Sequence, residues 1–295
     1  MKKFTIIGSN SSLAQNFIYY LRNKDIVLKL YDIQENDVNG SSDYRCVDFF
    51  SDGDLTKIDY DCDALFLFSG LTGAESSLLH ASRFVDINEK LFLRIVEAVK
   101  NSNSKCRIVY PSSRLVYKDT DKILSEDSEL EAKSVYALNK IFCENCLKIY
   151  NEVYGVNYTV FRIAIPFGKL CPDASSFGIV AKLQEQSACG EIVLFGEGDS
   201  VRTFTHIENI CEVFYFGGIA DGTLNGIYNI GGSSYSFYRI ATELAKKDNS
   251  KITYKSWPDI LKSVEVKNGH LSSDKLDTIL PVKYLDIVDY IRKSK

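Results

Sequence analysis

The chain has 295 residues, of which 45% are hydrophobic and 25% are charged, as is ordinary for a globular protein. Its formal net charge of −4 offers no basic field for nucleic acid. No window approaches the roughly twenty apolar residues that a membrane helix needs. The bulk properties therefore exclude nucleic-acid and membrane partners, and they allow one large domain or two modest ones.

The eight cysteines and three histidines suggest neither disulfides nor a metal site. Several cysteines fall in or beside apolar segments, and no secretory leader follows the first three residues, so we expect free thiols in the cytoplasm. Cys143 and Cys146 have redox spacing, but they lie inside a predicted helix, which favours packing. His80, His206 and His270 are far apart, so we predict no metal.

The first half of the chain alternates short apolar runs with helical patterns. Runs typical of buried strands cover residues 4–7, 27–31, 64–68, 107–110 and 158–161, and helical patterns cover 12–22, 84–100 and 136–154. This alternation predicts an α/β fold with a doubly wound parallel Rossmann sheet in residues 1–168. A looser pattern follows, with a helix near 177–186 and a strand at 192–195. We expect residues 169–295 to form mainly a smaller substrate-binding region, with some segments returning to the first domain.

A glycine turn joins the first predicted strand to the first predicted helix. Gly8 ends the strand, and Ser11, Ser12, Leu13 and Ala14 open the helix. A dinucleotide pyrophosphate placed here would meet free backbone N–H groups and the positive end of the helix dipole. Ser11 occupies the place where a second glycine would let the backbone approach the phosphates closely. The turn alone therefore supports a dinucleotide site only in part.

Two acidic residues further along strengthen this interpretation. Asp32 ends the second predicted strand, 24 residues after Gly8, about where an acid bonds the ribose hydroxyls of NAD. Its charge would repel the additional phosphate of NADP. Asp48, followed by Phe49, could accept a hydrogen bond from an adenine amino group. The expected cofactor is therefore NAD.

Tyr136 and Lys140 lie one helical turn apart, on the same face of a predicted helix. A tyrosine is too weak an acid to act as a base at neutral pH unless a neighbouring positive charge lowers its pKa. Ser113 follows an apolar strand that would present it at the carboxyl edge of the sheet, and Ser112 could substitute for it. The three side chains predict hydride transfer to or from an alcohol carbon.

The whole chain resembles the extended short-chain dehydrogenase/reductases, within the nucleotide-sugar epimerase/dehydratase group. The matching segments follow one another in the family order: Asp32, Phe68-Ser-Gly70-Leu71, Asn88, Ser112-Ser-Arg-Leu-Val-Tyr117, Tyr136 with Lys140 and Glu144, Arg162 ahead of Pro166-Phe-Gly168, Arg202-Thr-Phe-Thr-His206, Tyr228-Asn-Ile-Gly-Gly232 and Ser273-Asp-Lys275.

The resemblance implies a role for each matching residue. Tyr136 would be the acid/base, Lys140 its pKa and ribose partner, and Ser113 the donor to the carbonyl. The implied cofactor site comprises Gly8, Ser11, Ser12, Leu13, Asp32, Asp48, Phe49, Phe68, Ser69, Gly70, Asn88, Tyr136 and Lys140. The implied substrate site comprises Thr72, Ser113, Tyr136, Ile165, Phe195 near the nucleotide base, Arg202 at the diphosphate, Lys262 and Glu265.

Departures from the family pattern narrow the chemistry. Family dehydratases carry an Asp-Glu pair directly after the catalytic Ser or Thr, and here those positions are Arg114 and Leu115. Reducing 3,5-epimerases carry a cysteine at the position of Leu115. Dehydration and 3,5-epimerisation are therefore disfavoured. Ile165 replaces the asparagine that usually contacts the substrate.

The remaining activity is an NAD-dependent epimerase that inverts C4 of a UDP-hexose through a transient 4-keto intermediate. An NAD(P)H-dependent 4-ketosugar-nucleotide reductase would use the same residues, and a non-catalytic dinucleotide-binding sensor or scaffold is a third hypothesis. The resemblance also implies a homodimer formed through the helices at 84–100 and 136–154. Polysaccharide precursor synthesis is the pathway that the family suggests.

Overall fold

In a computed structural model of the chain, which describes residues 1–176, 178–220, 224–264 and 269–293, the largest sheet has seven parallel strands. The described strands are β1 (Lys2–Ile7), β2 (Ile26–Asp32), β3 (Tyr44–Cys46), β4 (Ala64–Leu67), β5 (Arg107–Ser113), β6 (Asn157–Ile163), β7 (Ile165–Phe167), β8 (Glu191–Phe195), β9 (Val201–His206), β10 (Gly226–Asn229), β11 (Ser233–Ser236) and β12 (Lys251–Lys255). The strand order in the large sheet is β10-β6-β5-β4-β1-β2-β3.

Helices lie on both faces of this sheet and around its C-terminal edge. They are α1 (Ser12–Leu21), α2 (Asp52–Leu55), α3 (Ala74–Leu79), α4 (Ala81–Val85), α5 (Leu91–Asn101), α6 (Val135–Tyr154), α7 (Gly178–Ala188), α8 (Ile207–Ile219), α9 (Phe237–Asp248), α10 (Asp259–Val264), α11 (Asp274–Asp277) and α12 (Ile287–Lys293). A π-helical turn, Asp86–Lys90, joins α4 to α5, and a 3-10 turn, Arg114–Val116, follows β5.

The strand residues alternate between two hydrophobic cores. In β1, Phe4 and Ile6 pack on the side of α1 and α8, whereas Ile7 packs on the side of α5 and α6. Both faces are therefore covered, which explains why the central strands read as continuous apolar runs rather than as alternating ones. The same two-sided burial makes the sheet doubly wound, as the sequence predicted.

The last third of the described chain builds a smaller layered region. One small sheet has the order β11-β9-β7, and another pairs β12 with β8. Ile165, Leu194 and Phe204 belong to its core, together with apolar residues of α7, α9 and α12. Two later elements return to the large sheet, because β10 pairs with β6 and α8 packs on its face. The chain therefore does not separate into two compact units at residue 168, and the functional division proposed there stays a prediction.

All six strands that the sequence predicts are present, and most extend further than predicted. The helix predicted over 84–100 contains the π-helical turn, and the helix predicted near 177–186 begins at Gly178 within the described residues. Apart from β8, the sequence did not predict the short strands of the C-terminal region, and it did not predict the buried helix α8. Across the described ranges, no helix is both long enough and apolar enough to span a membrane.

Candidate active site

A cavity of about 940 Å³ opens where the loops after β1, β4 and β5 face the C-terminal region. Parallel sheets place ligand sites at this carboxyl edge, and the volume lies at the upper end of the range for small-molecule pockets. We call Ser113, Tyr136 and Lys140 the catalytic floor, after the role predicted for them, because their side chains line the cavity and are buried. We call Lys182, Lys255 and Trp257 the outer wall, because they line the cavity from α7, β12 and the segment after β12.

The floor brings the predicted serine and tyrosine into hydrogen-bond contact. Ser113 ends β5, and its side chain also accepts from the Leu115 amide at 3.2 Å, which fixes the turn that follows. Tyr136 lies in the first turn of α6, whose N-cap Ser134 accepts from the Ala137 amide. Burial raises the pKa of Tyr136 to about 12, and the hydrogen bond with Ser113 opposes that rise. In this arrangement the phenol holds its proton at neutral pH.

Lys140 is held beneath the tyrosine by two acceptors. Its Nζ donates to the carbonyl oxygen of Pro111 at 2.7 Å and to the hydroxyl of Tyr110 at 3.0 Å. The same nitrogen lies 5.6 Å from the centroid of the Tyr136 ring. Burial lowers the pKa of Lys140 to about 8, against the opposing effects of Cys143 and Glu144. The lysine is therefore protonated at neutral pH and close to its titration point.

Ser112 serves a different purpose from Ser113. Its hydroxyl donates to Glu144 at 2.5 Å, and Glu144 accepts two hydrogen bonds from Arg162, at 3.0 and 2.6 Å. The guanidinium of Arg162 also lies over the ring of Tyr117. With its hydroxyl committed to this buried ion pair, Ser112 is poorly placed to replace Ser113 as a donor to the substrate.

The turn at Gly8 has the shape that a dinucleotide site requires. Gly8 has a φ of +81°, and a Cβ there would overlap the backbone of Ser69. Ser11 caps α1, and its hydroxyl turns back to donate to the Gly8 carbonyl at 2.8 Å. Ser11, Ser12 and Leu13 all line the cavity at the N-terminus of α1. The serine that replaces a second glycine thus adds a hydrogen bond within the turn, to the Gly8 carbonyl. The N-terminus of α1 still lines the cavity.

Asp32 lies at the end of β2, beside this turn, and is buried. Its carboxylate accepts from the backbone N–H groups of Asn10 at 2.9 Å and Gln34 at 3.2 Å. A carboxylate has about four acceptor positions, so these two bonds leave capacity for ribose hydroxyls. Asn10 also bonds to the loop after β2 through Gln34 and Asn36. The sequence did not indicate Asn10, since nothing in a single glycine turn singles it out.

The loop after β4 lies between the cofactor end and the floor. Phe68, Ser69 and Gly70 line the cavity, and their predicted contact with a cofactor stays a prediction. Asn88 lies behind this loop, where its side chain accepts from the Leu71 amide at 2.7 Å and donates to the Leu71 carbonyl at 3.0 Å. Asn88 belongs to the π-helical turn, a feature that often occurs at functional sites. It therefore positions the loop rather than lining the cavity.

The other predicted adenine-side residues lie away from the cavity lining. Asp48 is exposed, and its carboxylate accepts from the amide of Phe50 at 2.9 Å. Phe49 is buried among the apolar residues on the α5 and α6 side of the sheet. Its side chain is therefore a core residue, whereas a role for Asp48 at an adenine stays a prediction.

The predicted substrate residues separate into two groups. Thr72, Ile165 and Phe195 line the cavity. Lys262 is exposed on α10, whereas its neighbour Leu261 lines the cavity. Glu265 lies outside the described residues. The predicted roles of these residues in binding stay predictions.

Arg202 is fully buried on β9 and is not among the residues that line the cavity. Its guanidinium donates to the carbonyl of Val201 and lies 5.8 Å from the ring centroid of Phe237. A Cβ built on Gly269 would come within 3.1 Å of the Arg202 Cδ. In this arrangement the arginine packs against Gly269, away from the cavity lining.

Sequence reasoning missed the outer wall. The rings of Phe195 and Trp257 are 5.3 Å apart, and the Trp257 indole fills the space beside Gly196 that a side chain would take. Lys182 and Lys255 add positive charge nearby. One sequence feature could have indicated the outer wall. Trp257, the only tryptophan of the chain, lies two residues after Lys255.

Comparisons with known proteins agree with this geometry. A family model, described as the NAD dependent epimerase/dehydratase family, matches residues 5–231. A UDP-glucuronate 4-epimerase from Thermodesulfobacterium geofontis is 27% identical over 192 residues, which is 64% of this chain. That alignment spans 58% of the relative's length.

Solved structures resemble the whole chain. A UDP-N-acetylglucosamine 4-epimerase from Methanobrevibacter ruminantium, in complex with UDP-N-acetylmuramic acid, has a TM-score of 0.85 at 22% identity and covers 99% of this chain and 96% of its own. A UDP-glucuronic acid 4-epimerase from Bacillus cereus, in complex with UDP-glucuronic acid and NAD, has a TM-score of 0.84 at 20% identity, with coverages of 98% and 96%. At these identities the likeness establishes the fold, which is the Rossmann arrangement that the sequence predicted.

Proposed function

Because this chain belongs to the NAD dependent epimerase/dehydratase family, we propose that it is an NAD-dependent epimerase that inverts C4 of a UDP-hexose. The observation that carries the proposal is the catalytic floor. A buried serine and tyrosine share a hydrogen bond directly above a buried lysine, inside a cavity that also receives the N-terminus of α1. That combination suits an alcohol or carbonyl carbon placed beside a dinucleotide.

The residues at the cofactor end fit NAD. Gly8 lets the turn after β1 pack against the backbone of Ser69, and the first turn of α1 would present backbone N–H groups to a pyrophosphate. Asp32 would accept from the ribose hydroxyls, and its charge disfavours a phosphate on that ribose. When bound, NAD would supply hydride acceptance and return, together with a positive charge on its oxidised ring.

Tyr136 would move the proton of the 4-hydroxyl. It accepts that proton when the carbinol becomes a carbonyl, and it returns the proton when the carbinol re-forms with the opposite configuration. Its pKa of about 12 must fall for the first step, so positive charge beside the phenol has to work against burial. The Lys140 ammonium supplies part of that charge from below, and its third N–H would bond a cofactor ribose hydroxyl.

The cavity lining also disfavours dehydration. Arg114 and Leu115 line the cavity at the positions where a dehydratase would need its two acids. Among the described lining residues, Glu75 supplies the only carboxylate, and it is exposed on α3. The described part of the cavity lining supplies no second buried acid/base. Proton transfer would therefore be confined to the one substrate oxygen that Tyr136 and Ser113 both contact.

The relatives support the position of the reaction on the sugar. The T. geofontis protein and the two solved structures are all named as 4-epimerases of UDP-sugars. Because this chain spans 58% of the curated relative's length, the whole activity stays a proposal for this chain.

The test is to incubate the purified protein with NAD and a panel of UDP-hexoses and to analyse the products by NMR. We expect a C4-inverted product from at least one member, with no net NADH. In Tyr136→Phe, turnover should fall by about 10²- to 10⁴-fold, because the acid/base is lost. Ser128→Ala, which removes a loop hydroxyl that bonds to the Ser125 amide outside the cavity, is the matched control.

Each alternative gives a different result in the same assay. Stoichiometric consumption of NADH with a 4-ketosugar, and no C4 inversion, would identify the reductase. Binding of NAD without turnover of any sugar would favour the sensor or scaffold. Full activity in Tyr136→Phe would exclude the mechanism.

We also propose that the protein forms a homodimer through α6 and the α4–α5 segment. Leu138, Ile149 and Val153 lie at helical spacing along α6 and are 53%, 53% and 63% exposed. Such a stripe of apolar residues gains free energy when a second copy covers it. Light scattering should give about twice the 33.3 kDa mass of one chain.

We propose the cytoplasm as the location. All eight cysteines are free thiols, and four of them are buried within the described fold. A reducing compartment suits such a set. Fractionation of the native host, with the protein recovered outside the cytoplasmic fraction, would contradict this location.

A further inference from the structure

Two buried polar side chains next to the catalytic floor have no part in the proposed proton transfer. Tyr110 belongs to β5, upstream of Ser113, and Cys143 belongs to α6, downstream of Lys140. Tyr110 is 3% exposed and Cys143 is 0% exposed. Neither is among the described residues that line the cavity, so an effect of either on a ligand must pass through another side chain.

Both side chains are connected to Lys140 by hydrogen bonds. The Lys140 Nζ donates to the Tyr110 hydroxyl at 3.0 Å and lies 4.4 Å from the centroid of the Tyr110 ring. The Tyr110 hydroxyl is hydrogen-bonded to the Cys143 thiol, which in turn donates to the carbonyl of Asn88 at 3.2 Å. We call Lys140, Tyr110, Cys143 and the Asn88 carbonyl the supporting chain.

The supporting chain can be protonated in one direction only. A carbonyl oxygen accepts and never donates, so the thiol proton of Cys143 lies toward Asn88. The sulfur then acts as the acceptor for Tyr110, and the Tyr110 oxygen acts as the acceptor for Lys140. Burial, together with the neighbouring Cys143, holds the pKa of Tyr110 well above its usual value, so the phenol keeps the proton that this direction requires.

This direction assigns the protons of Lys140. A lysine ammonium has three N–H donors, and the Pro111 carbonyl and the Tyr110 hydroxyl occupy two of them. A neutral amine keeps two N–H donors, which is the number that these acceptors need. The proton that Lys140 loses on titration is therefore the third one, which neither acceptor holds.

We infer that Tyr110 and Cys143 are positioning residues for Lys140. They keep two of its N–H groups engaged in either protonation state, and they leave the third available to the catalytic floor. The catalytic consequence rests on the proposed function, whereas the titration of Lys140 can be followed without turnover. The titratable and charged groups around Lys140 are Tyr136, Cys143 and Glu144 on α6, Tyr110 on β5, Glu89 in the π-helical turn and Arg162 on β6, paired with Glu144.

The first test is Tyr110→Phe, which keeps the ring and removes the hydroxyl. The pKa of Lys140 should fall by about one pH unit below its native value, because the buried ammonium loses a charge-assisted hydrogen bond. NMR of protein with isotope-labelled lysine side chains measures it, with the Lys140 signal assigned by its absence in Lys140→Met. Tyr158→Phe is the matched control, because it removes a phenol hydroxyl from the same core on the neighbouring strand β6. It should leave the titration of Lys140 unchanged.

The second test acts on the other end of the supporting chain. In Cys143→Ala, the Tyr110 hydroxyl loses its acceptor and can donate to the neutral amine, so the pKa of Lys140 should fall, by less than in Tyr110→Phe. Cys143→Ser keeps a group that accepts and donates, and it should restore the native titration. A role in packing alone would not give this rescue, because a serine hydroxyl fills the apolar site no better than a methyl group.

Two results would overturn the inference. One is a native titration of Lys140 in Tyr110→Phe. The other is a shift in Cys143→Ala that Cys143→Ser fails to restore. Thermal melting confirms the folding of each variant, and the pair of Cys143 variants decides the question if Tyr110→Phe does not fold.

The same variants keep this inference and the proposed function apart. In an active epimerase, the alkaline limb of the pH profile of kcat/KM should move to lower pH in Tyr110→Phe by as much as the pKa of Lys140 falls. A shifted Lys140 titration in Tyr110→Phe, combined with no C4-inverted product from any sugar in the native protein, would refute the epimerase and keep the positioning role. C4 inversion by the native protein, combined with an unchanged Lys140 titration in Tyr110→Phe, would do the opposite.

Discussion

The catalytic floor and the outer wall line one cavity, but they are built differently. The floor residues Ser113, Tyr136 and Lys140 are each 8% exposed and are tied to neighbours by hydrogen bonds. On the outer wall, Lys182 and Lys255 are exposed, and Trp257 is half-buried. Under the proposed function, the chemistry would use a set of buried groups, and the choice of ligand would use groups that water still reaches.

This difference follows from what each end must do. Proton transfer needs fixed distances and shifted pKa values, and both require burial and second contacts. Recognition of a charged, flexible nucleotide tolerates mobile cations on a solvent-accessible face. Substitutions in the floor should therefore reduce turnover, whereas substitutions in the outer wall should change affinity alone.

The largest expected effect comes from the ion pair that supports the floor. In Glu144→Gln, the buried Arg162 loses its counter-charge and Ser112 loses its charged acceptor. We expect a loss of about 3–5 kcal/mol in the free energy of unfolding, because an uncompensated charge would remain buried. Urea unfolding measures it.

Glu152→Gln is the matched control, because it makes the same change at an exposed position on the same helix. Its effect should stay within about 0.5 kcal/mol. Equal losses of unfolding free energy in Glu144→Gln and Glu152→Gln would show that the buried ion pair contributes no more than an exposed glutamate.

The second expected effect is that stability and turnover change in opposite directions with pH, because both depend on Lys140. Burial lowers the pKa of Lys140 to about 8, whereas an unfolded lysine titrates near 10.5. Between these values the unfolded chain keeps a proton that the folded chain releases, so the contribution of Lys140 to stability rises with pH. Over the same interval kcat/KM should fall by up to about tenfold per pH unit, because the ammonium is lost.

The measurement compares the native protein with Lys140→Met at pH 7.5 and 9.5. The difference in unfolding free energy between the two proteins should shift in favour of the native protein at the higher pH, by no more than about 1.4 kcal/mol per pH unit. Taking the difference removes the contribution of cysteines and tyrosines that titrate in the same range. If the advantage of the native protein over Lys140→Met became smaller as the pH rises, Lys140 would not lose its proton on folding as we predict.

The smallest expected effect belongs to the outer wall. Lys182→Ala removes an exposed cation from the cavity edge, and affinity for UDP should fall by less than about fivefold. The loss should shrink in high salt, because screening acts strongly on exposed charges. Titration of Trp257 fluorescence measures it, with Lys148→Ala, an exposed lysine on α6, as the control.

The sequence predicted the floor well, because its signals are local. The long apolar strands place Ser113, and helical spacing places Lys140 one turn after Tyr136. It could not separate Ser112 from Ser113, since that depends on Glu144 arriving from a helix 32 residues away.

The outer wall could not be predicted from local sequence patterns, for a physical reason. Its strands β8 and β12 are short and pair across a long stretch of chain. Its charged residues are exposed, so neither periodicity nor burial marks them. The position of Arg202 beneath Gly269 likewise depends on a pairing between segments 67 residues apart.

The π-helical turn Asp86–Lys90 has a consequence for insertions and deletions. A π-turn carries one more residue than the α-helical turn it replaces. Deleting one residue there would let α4 and α5 merge into a regular helix with little net rotation between them, but the side chains within the turn would change direction. Asn88 would then leave the Leu71 backbone that it now clamps. The irregular turn thus sets the direction of the Asn88 side chain, and the position of the loop after β4 depends on it.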